Sequence, residues 1–146
     1  MSIGPVTPPV TMPADDIELL RRAEDLLGRV WTRGRHEVAT ALRTTDGGVH
    51  LGVHLEGSCR RSSICAEGVA LGAALLAGPP LRVQSVVSVQ VKPATRFRVI
   101  APCGVCRELI SDYSPDARIW LTSPTSGDVV AVRALDLLPE KSRRIW

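Results

Sequence analysis

The chain has 146 residues, 45% of them hydrophobic and 23% charged, the mix of a folded soluble domain, so wholesale disorder and collagen-like structure are excluded. A net charge of +3 and an aromatic content of 3% supply neither the basic stripe nor the stacking platform that a nucleic-acid partner needs. No apolar run approaches the ~20 residues of a bilayer span, and residues 1–12 carry neither a basic nor an apolar leader segment. The expected location is therefore cytoplasmic, with no membrane partner.

Taken in chain order, residues 1–14 hold Pro5, Pro8, Pro9 and Pro13 and no charge. They are expected to form a flexible or extended N-terminal arm, with residues 15–146 as one domain. After Asp15 and Asp16, the apolar residues Ile17, Leu20, Ala23, Leu27 and Val30 recur at helical spacing. Val38–Leu42 and Val49–Leu55 flank Asp46-Gly47-Gly48 and predict a strand, a turn and a strand. The segment CAEGVALGAALLAG, residues 65–78, predicts a helix apolar nearly all round and stopped at Pro79-Pro80. Its small residues, Gly68 and Gly72 among them, imply a close approach, to the chain's own sheet or to another subunit.

Arg82–Val91 is rich in β-branched residues and reads as a strand, with Val99–Ala101 as its continuation or a second short one. A helix over Cys103–Asp112, strands over Ala117–Leu121 and Val129–Val132, and a short helix over Ala134–Leu138 complete the pattern. Helices alternate with strands through the middle of the chain. That order implies an α/β fold, a three-layer α-β-α sandwich on a mixed sheet of about five strands.

Chemistry concentrates in two helix starts. Cys65-Ala66-Glu67 opens one helix, and Pro102-Cys103-Gly104-Val105-Cys106 opens another, with a strand between them. A crossover of that kind brings both starts to the same edge of a sheet. Cys103 and Cys106, at i and i+3, share a helix face, and Cys65 approaches from the neighbouring helix. Three thiolates suit Zn²⁺ and leave a fourth tetrahedral position open, the mark of a catalytic site. Glu67, in the first turn, reaches the same point and is placed to carry a proton. Both helix N-termini offset part of the thiolate charge, and Arg107 is expected to add to this beside the metal ligands.

Two other readings stand beside this one. C-G-V-C alone fits a redox dithiol, and Cys59, in the polar loop GSCRRSS, would close the metal site if it supplied a fourth ligand.

C-A-E followed by P-C-x-x-C resembles the three-cysteine form of the zinc-dependent cytidine deaminase superfamily. The similarity runs from residue 16 almost to the end, through VATALRTTDGGVHLGVHLEG, SICAEGVALGAALLAG, IAPCGVCRELISDY and VRALDLLP. It implies hydrolytic deamination of a cytosine nucleoside on one Zn²⁺ per subunit. Cys65, Cys103 and Cys106 would be the metal ligands and Glu67 the catalytic acid–base. Ala66 and Ala101 would hold the pyrimidine edge through their backbones. It also implies a homotetramer with active sites at subunit borders, where Trp146 of the tail would line a neighbour's pocket.

The departures bear on the sugar. The usual N-x-E of the second strand is here His54-Leu55-Glu56, so His54 and Glu56 are expected to contact substrate. His36 stands where a phenylalanine usually faces the nucleoside, and Gly68 replaces the arginine that commonly follows C-A-E. These features bring the chain closer to the blasticidin S deaminase branch, which acts on a cytosine nucleoside antibiotic. A reading in another class is a deaminase-fold protein whose zinc is structural, serving as a binding or assembly module.

Overall fold

The computed structural model describes residues 2–92 and 95–146; Met1, the first residue of the expected arm, lies outside them. The elements are helix α1 (Ala14–Val30), strands β1 (Val38–Thr44) and β2 (Val49–Val53), helix α2 (Ala66–Ala77), strands β3 (Val83–Val91) and β4 (Phe97–Val99), helix α3 (Gly104–Tyr113), and strands β5 (Arg118–Thr122) and β6 (Val129–Arg133). Short 3₁₀ turns lie at Arg60–Ser62 and Ala134–Leu137. The last of these replaces the short final α-helix read from the sequence, because only four residues separate β6 from Leu138, ahead of Pro139.

The sheet runs β2-β1-β3-β5-β6, with β4 attached to β3. Only β3 and β5 pair in parallel; the rest are antiparallel. The segment near Val99 is thus the second short strand of the two alternatives and not a continuation of β3. It turns back and pairs Val89–Val91, beyond the stretch Ser85–Val87 that β5 occupies. β3 is long enough to hold two partners in succession along one edge.

Strand alternation sorts the sheet into two faces. Ala39, Ala41, Val87, Val89 and Trp120 pack against Leu19, Leu20, Ala23 and Leu27 of α1. The alternate residues Leu42, Val86 and Ile119 pack against Ala70, Leu71 and Ala74 of α2 and Ile110 of α3. One helix on one face and two on the other make the expected three-layer sandwich. The buried stripe of α1 also takes in Asp16 and Glu24, with Ile17 and Val30 only half-buried. Asp16 Oδ2 accepts hydrogen bonds from Trp120 Nε1 (2.7 Å), Arg118 (2.9 Å) and Ser85 Oγ (3.2 Å), which ties the start of α1 to β3 and β5.

Glu24 does the same for the N-terminal segment. Its carboxylate accepts from the Val6 backbone N–H at 2.7 Å and from Arg21 at 2.6 Å, while Arg21 also donates to the Val6 carbonyl. Gly4 exchanges backbone hydrogen bonds with Thr95 and Phe97, and Met12 is buried in the α1 core. Residues 4–12, within the stretch expected to be an arm, are thus tied down at three points. No helix among the described residues is long and apolar enough to cross a membrane.

α2 lies close upon β2 because Gly52 has no side chain. A Cβ built there would stand 2.2 Å from the Ala66 carbonyl oxygen and 2.5 Å from the Ala70 nitrogen. Gly68 and Gly72 meet nothing within 4 Å, so these two glycines, unlike Ala70 and Ala74, do not serve the contact of α2 with its own sheet. Gly52→Ala is expected to push the start of α2 outward and to destabilise the fold by about 1–3 kcal/mol, a fall in Tm of roughly 3–10 °C. Thermal unfolding followed by circular dichroism checks this; an unchanged Tm would show that α2 yields without cost.

Candidate active site

Cys65 is the N-cap of α2 and Cys103 the N-cap of α3, both with extended backbone, and Cys106 follows in the first turn of α3. Two backbone hydrogen bonds between Leu55 and Ile64 fix the approach to Cys65 against the end of β2. The three sulfurs converge as the spacing predicted: all lie within 4.8 Å of one another, and Cys65 Sγ is 3.4 Å from Cys103 Sγ. Cys59 is exposed and stands outside this cluster, its carbonyl accepting from the backbone N–H and the hydroxyl of Ser62.

The sulfurs are not equivalent. Burial, then the charge of Glu67, then the neighbouring thiols push the Cys106 thiol far above its ordinary pKa. Burial and the Cys103 thiol likewise push Cys65 up. At Cys103 burial also opposes ionisation, but the backbone N–H groups of Cys106 and Val105 and the two other thiols outweigh it, and its pKa falls. Three thiols this close cannot all ionise unless a cation sits among them. A set of soft sulfur donors on two helix N-termini, spread over a distance that one ion bonded at about 2.3 Å to each can bridge, fits Zn²⁺.

Glu67 points at the cluster from α2. It is 4% exposed. Cys106 Sγ lies 3.6 Å from Oε2, while Oε1 accepts a hydrogen bond from Ser88 Oγ at 3.0 Å. Ser88 in turn is 2.7 Å from Thr40 Oγ1, across the β1–β3 rung that pairs these two residues.

A cavity of about 250 Å³ opens over this centre. Among its lining residues are Cys65, Cys103, Glu67, Ala66, Ala101 and His54, so six of the residues singled out from the sequence meet there. The Glu37 backbone N–H lies 3.4 Å from His54 Nδ1, which leaves the proton on Nε2 to be donated to Glu56 Oε2 at 3.1 Å. Glu56 therefore touches the cavity through His54 rather than lining it. His36 also stands behind this wall, its Nδ1–H donating to the His54 carbonyl at 2.9 Å.

Arg107 differs from its expected place beside the thiolates. Its guanidinium donates to the carbonyls of Pro102 (2.9 Å) and Leu137 (3.3 Å), so it fastens α3 to the C-terminal 3₁₀ turn. Trp146 is 88% exposed, with the Arg144 guanidinium 5.3 Å from its ring centre. The cavity also brings in Glu37, Val38, Ser63, Gln90 and Ile100, which sequence reasoning missed. The available signal was Ser88 and Gln90, polar residues that alternate with Val86 onto the face of β3 that carries α2.

Comparison with known proteins agrees with this geometry. No family model matches the chain. It is 34% identical over 134 residues to the blasticidin-S deaminase of Bacillus cereus, covering 88% of this chain and 93% of that protein. It is 32% identical over 106 residues to the cytidine deaminase of Halalkalibacterium halodurans, covering 72% and 76%. The crystal structure of cytidine deaminase from Burkholderia pseudomallei superposes with a TM-score of 0.71 at 31% identity, over 88% of this chain and 98% of that one.

The chain belongs to the cytidine deaminase family. The resemblance read from C-A-E and P-C-x-x-C is borne out, and so is the α-β-α architecture it implied. As a member of this family, the chain is a deaminase of the cytidine/blasticidin S type, and its three-cysteine cluster is consistent with the zinc such enzymes carry. Replacing Cys103 by alanine is expected to lower bound zinc from near one ion per chain to a small fraction and to reduce stability, since ligand removal forfeits the folding energy of the metal. Metal analysis by plasma emission with a thermal melt measures both; full zinc in the variant would remove Cys103 from the ligand set.

Proposed function

We propose that the protein hydrolyses the C4 amino group of a cytosine nucleoside, either cytidine or deoxycytidine or a nucleoside antibiotic of the blasticidin S kind, giving the uracil-type product and ammonia. The observation that carries the reading is the buried carboxylate of Glu67 between a three-sulfur cluster and a cavity about the size of one nucleoside.

Cys65, Cys103 and Cys106 would hold the ion, one Zn²⁺ per subunit. When bound, the ion supplies Lewis acidity that lowers the pKa of a water molecule toward ~7. Glu67 takes a proton from the attacking water and passes it to ring N3 as oxygen adds at C4. The same carboxylate then takes the proton of the new C4 hydroxyl and gives it to the amine, so that the C4–N bond breaks as the C4 carbonyl forms and ammonia leaves. Burial of Glu67 keeps bulk water from competing for the proton in transit. The backbones at Ala66 and Ala101, both on the cavity wall, hold the pyrimidine edge. His54, oriented by Glu56, faces the sugar, with His36 supporting it from behind.

The assembled form is a homotetramer with its active sites at subunit borders. Supporting this, α2 leaves open space at Gly68 and Gly72 and exposes Leu75 and Leu76, and α3 exposes Val105, Leu109 and Tyr113 at i, i+4 and i+8. Trp146 then enters a neighbour's site.

An ultraviolet assay of purified protein against cytidine, deoxycytidine, blasticidin S, cytosine and cytidine monophosphate tests the reading. Turnover of at least one nucleoside is expected, and a protein inert on all of them would refute it. Glu67→Gln is expected to keep zinc and lose about 10²–10⁴-fold in kcat; a rate near that of the parent would remove Glu67 from the chemistry.

A further inference from the structure

We propose that Ser88 and Thr40 are positioning residues for Glu67, forming a one-way hydroxyl chain that reserves one oxygen of its carboxylate for the travelling proton. The inference rests on the deaminase reading above.

The geometry is a line of three side chains, none more than 4% exposed: Thr40 (0%), Ser88 (2%) and Glu67 (4%). Ser88 Oγ stands 3.0 Å from Glu67 Oε1 and 2.7 Å from Thr40 Oγ1. A hydroxyl has one proton to give, and an ionised carboxylate only accepts. Ser88 therefore donates to Oε1, and its oxygen is left to accept from Thr40. The direction runs from Thr40 to Ser88 to Glu67. Polarisation along such a chain strengthens each bond, the more so in a dry interior.

The consequence lies in which oxygen is free. With Oε1 occupied by the Ser88 donor, a proton arriving from the cavity side is held on Oε2, the oxygen 3.6 Å from Cys106 Sγ and hence nearest the metal cluster. Without Ser88 the carboxylate is free to turn about its last bond, so neither oxygen is held at a fixed distance and angle to the proton that arrives from the cavity side. Thr40 and Ser88 face each other across one rung of β1 and β3, so the rigid centre of the sheet fixes the orientation of a group on α2. Nothing else among the hydrogen bonds of the described residues engages Oε1.

The test compares Ser88→Ala, Ser88→Thr and Thr40→Val as zinc-loaded proteins. Ser88→Ala is expected to lower kcat about five- to tenfold, with KM within about twofold and zinc content unchanged, because only proton placement is lost. Ser88→Thr restores the hydroxyl and most of kcat, and Thr40→Val, which removes only the outer donor, costs about two- to threefold. The readout independent of turnover is infrared difference spectroscopy of the purified protein. The carboxylate stretch that disappears in Glu67→Gln should shift in Ser88→Ala and return in Ser88→Thr. An unshifted band, or an unchanged kcat in a folded, zinc-replete Ser88→Ala, overturns the proposal. If the parent protein turned over no cytosine nucleoside, the deaminase reading would fail by itself, and the infrared arm would still decide whether Ser88 orients the carboxylate.

Discussion

Three ionisable sulfurs and a carboxylate crowded together at one edge of the sheet, with Cys106 and Glu67 buried and Cys103 exposed, are the arrangement on which the rest of the structure turns. Left to themselves they resist sharing negative charge, as the raised pKa values of Cys65 and Cys106 record. Two helix N-termini aimed at the same point favour the charged form, and a divalent ion between the sulfurs would complete the balance. The sheet exists, functionally, to hold those two helix starts side by side: α2 is seated on β2 by the absence of a side chain at Gly52, and α3 is delivered by the crossover from β3 to β5.

The offset is supplied by the backbone rather than by a side-chain cation. Gly68 stands where an arginine commonly follows C-A-E, and Arg107 is spent on two carbonyls. Cys103 shows the backbone effect most directly, since the N–H groups at the start of α3 help bring its pKa below the ordinary value despite burial. A centre compensated in this way depends on helix geometry being kept, which gives the close packing of α2 a chemical as well as a mechanical meaning.

What could be read from the sequence was local. The apolar rhythm of α1, the turn at Asp46-Gly47-Gly48 and the two cysteine motifs each lie within a few consecutive residues, where periodicity and capping chemistry act directly. Convergence of the sulfurs followed from one topological rule about crossovers. What stayed hidden joins residues far apart in the chain: Thr40 with Ser88, 48 positions on; Asp16 with Trp120, 104 on; β4 folding back on the far half of β3. The side chain of Arg107 illustrates the limit. Its position beside Cys106 was plain, yet its direction was decided by the Leu137 carbonyl, which only the folded C-terminal turn brings within reach.

Asp16 couples positions that share no function. Its single oxygen Oδ2 gathers the indole of Trp120, the hydroxyl of Ser85 and the guanidinium of Arg118. Exchanging Trp120 for phenylalanine would remove the shortest of three donors to a buried anion, and exchanging Asp16 for leucine would strand an indole N–H. The two sites are therefore energetically coupled: removing both partners together strands neither group, whereas removing either alone leaves the other short of its partner.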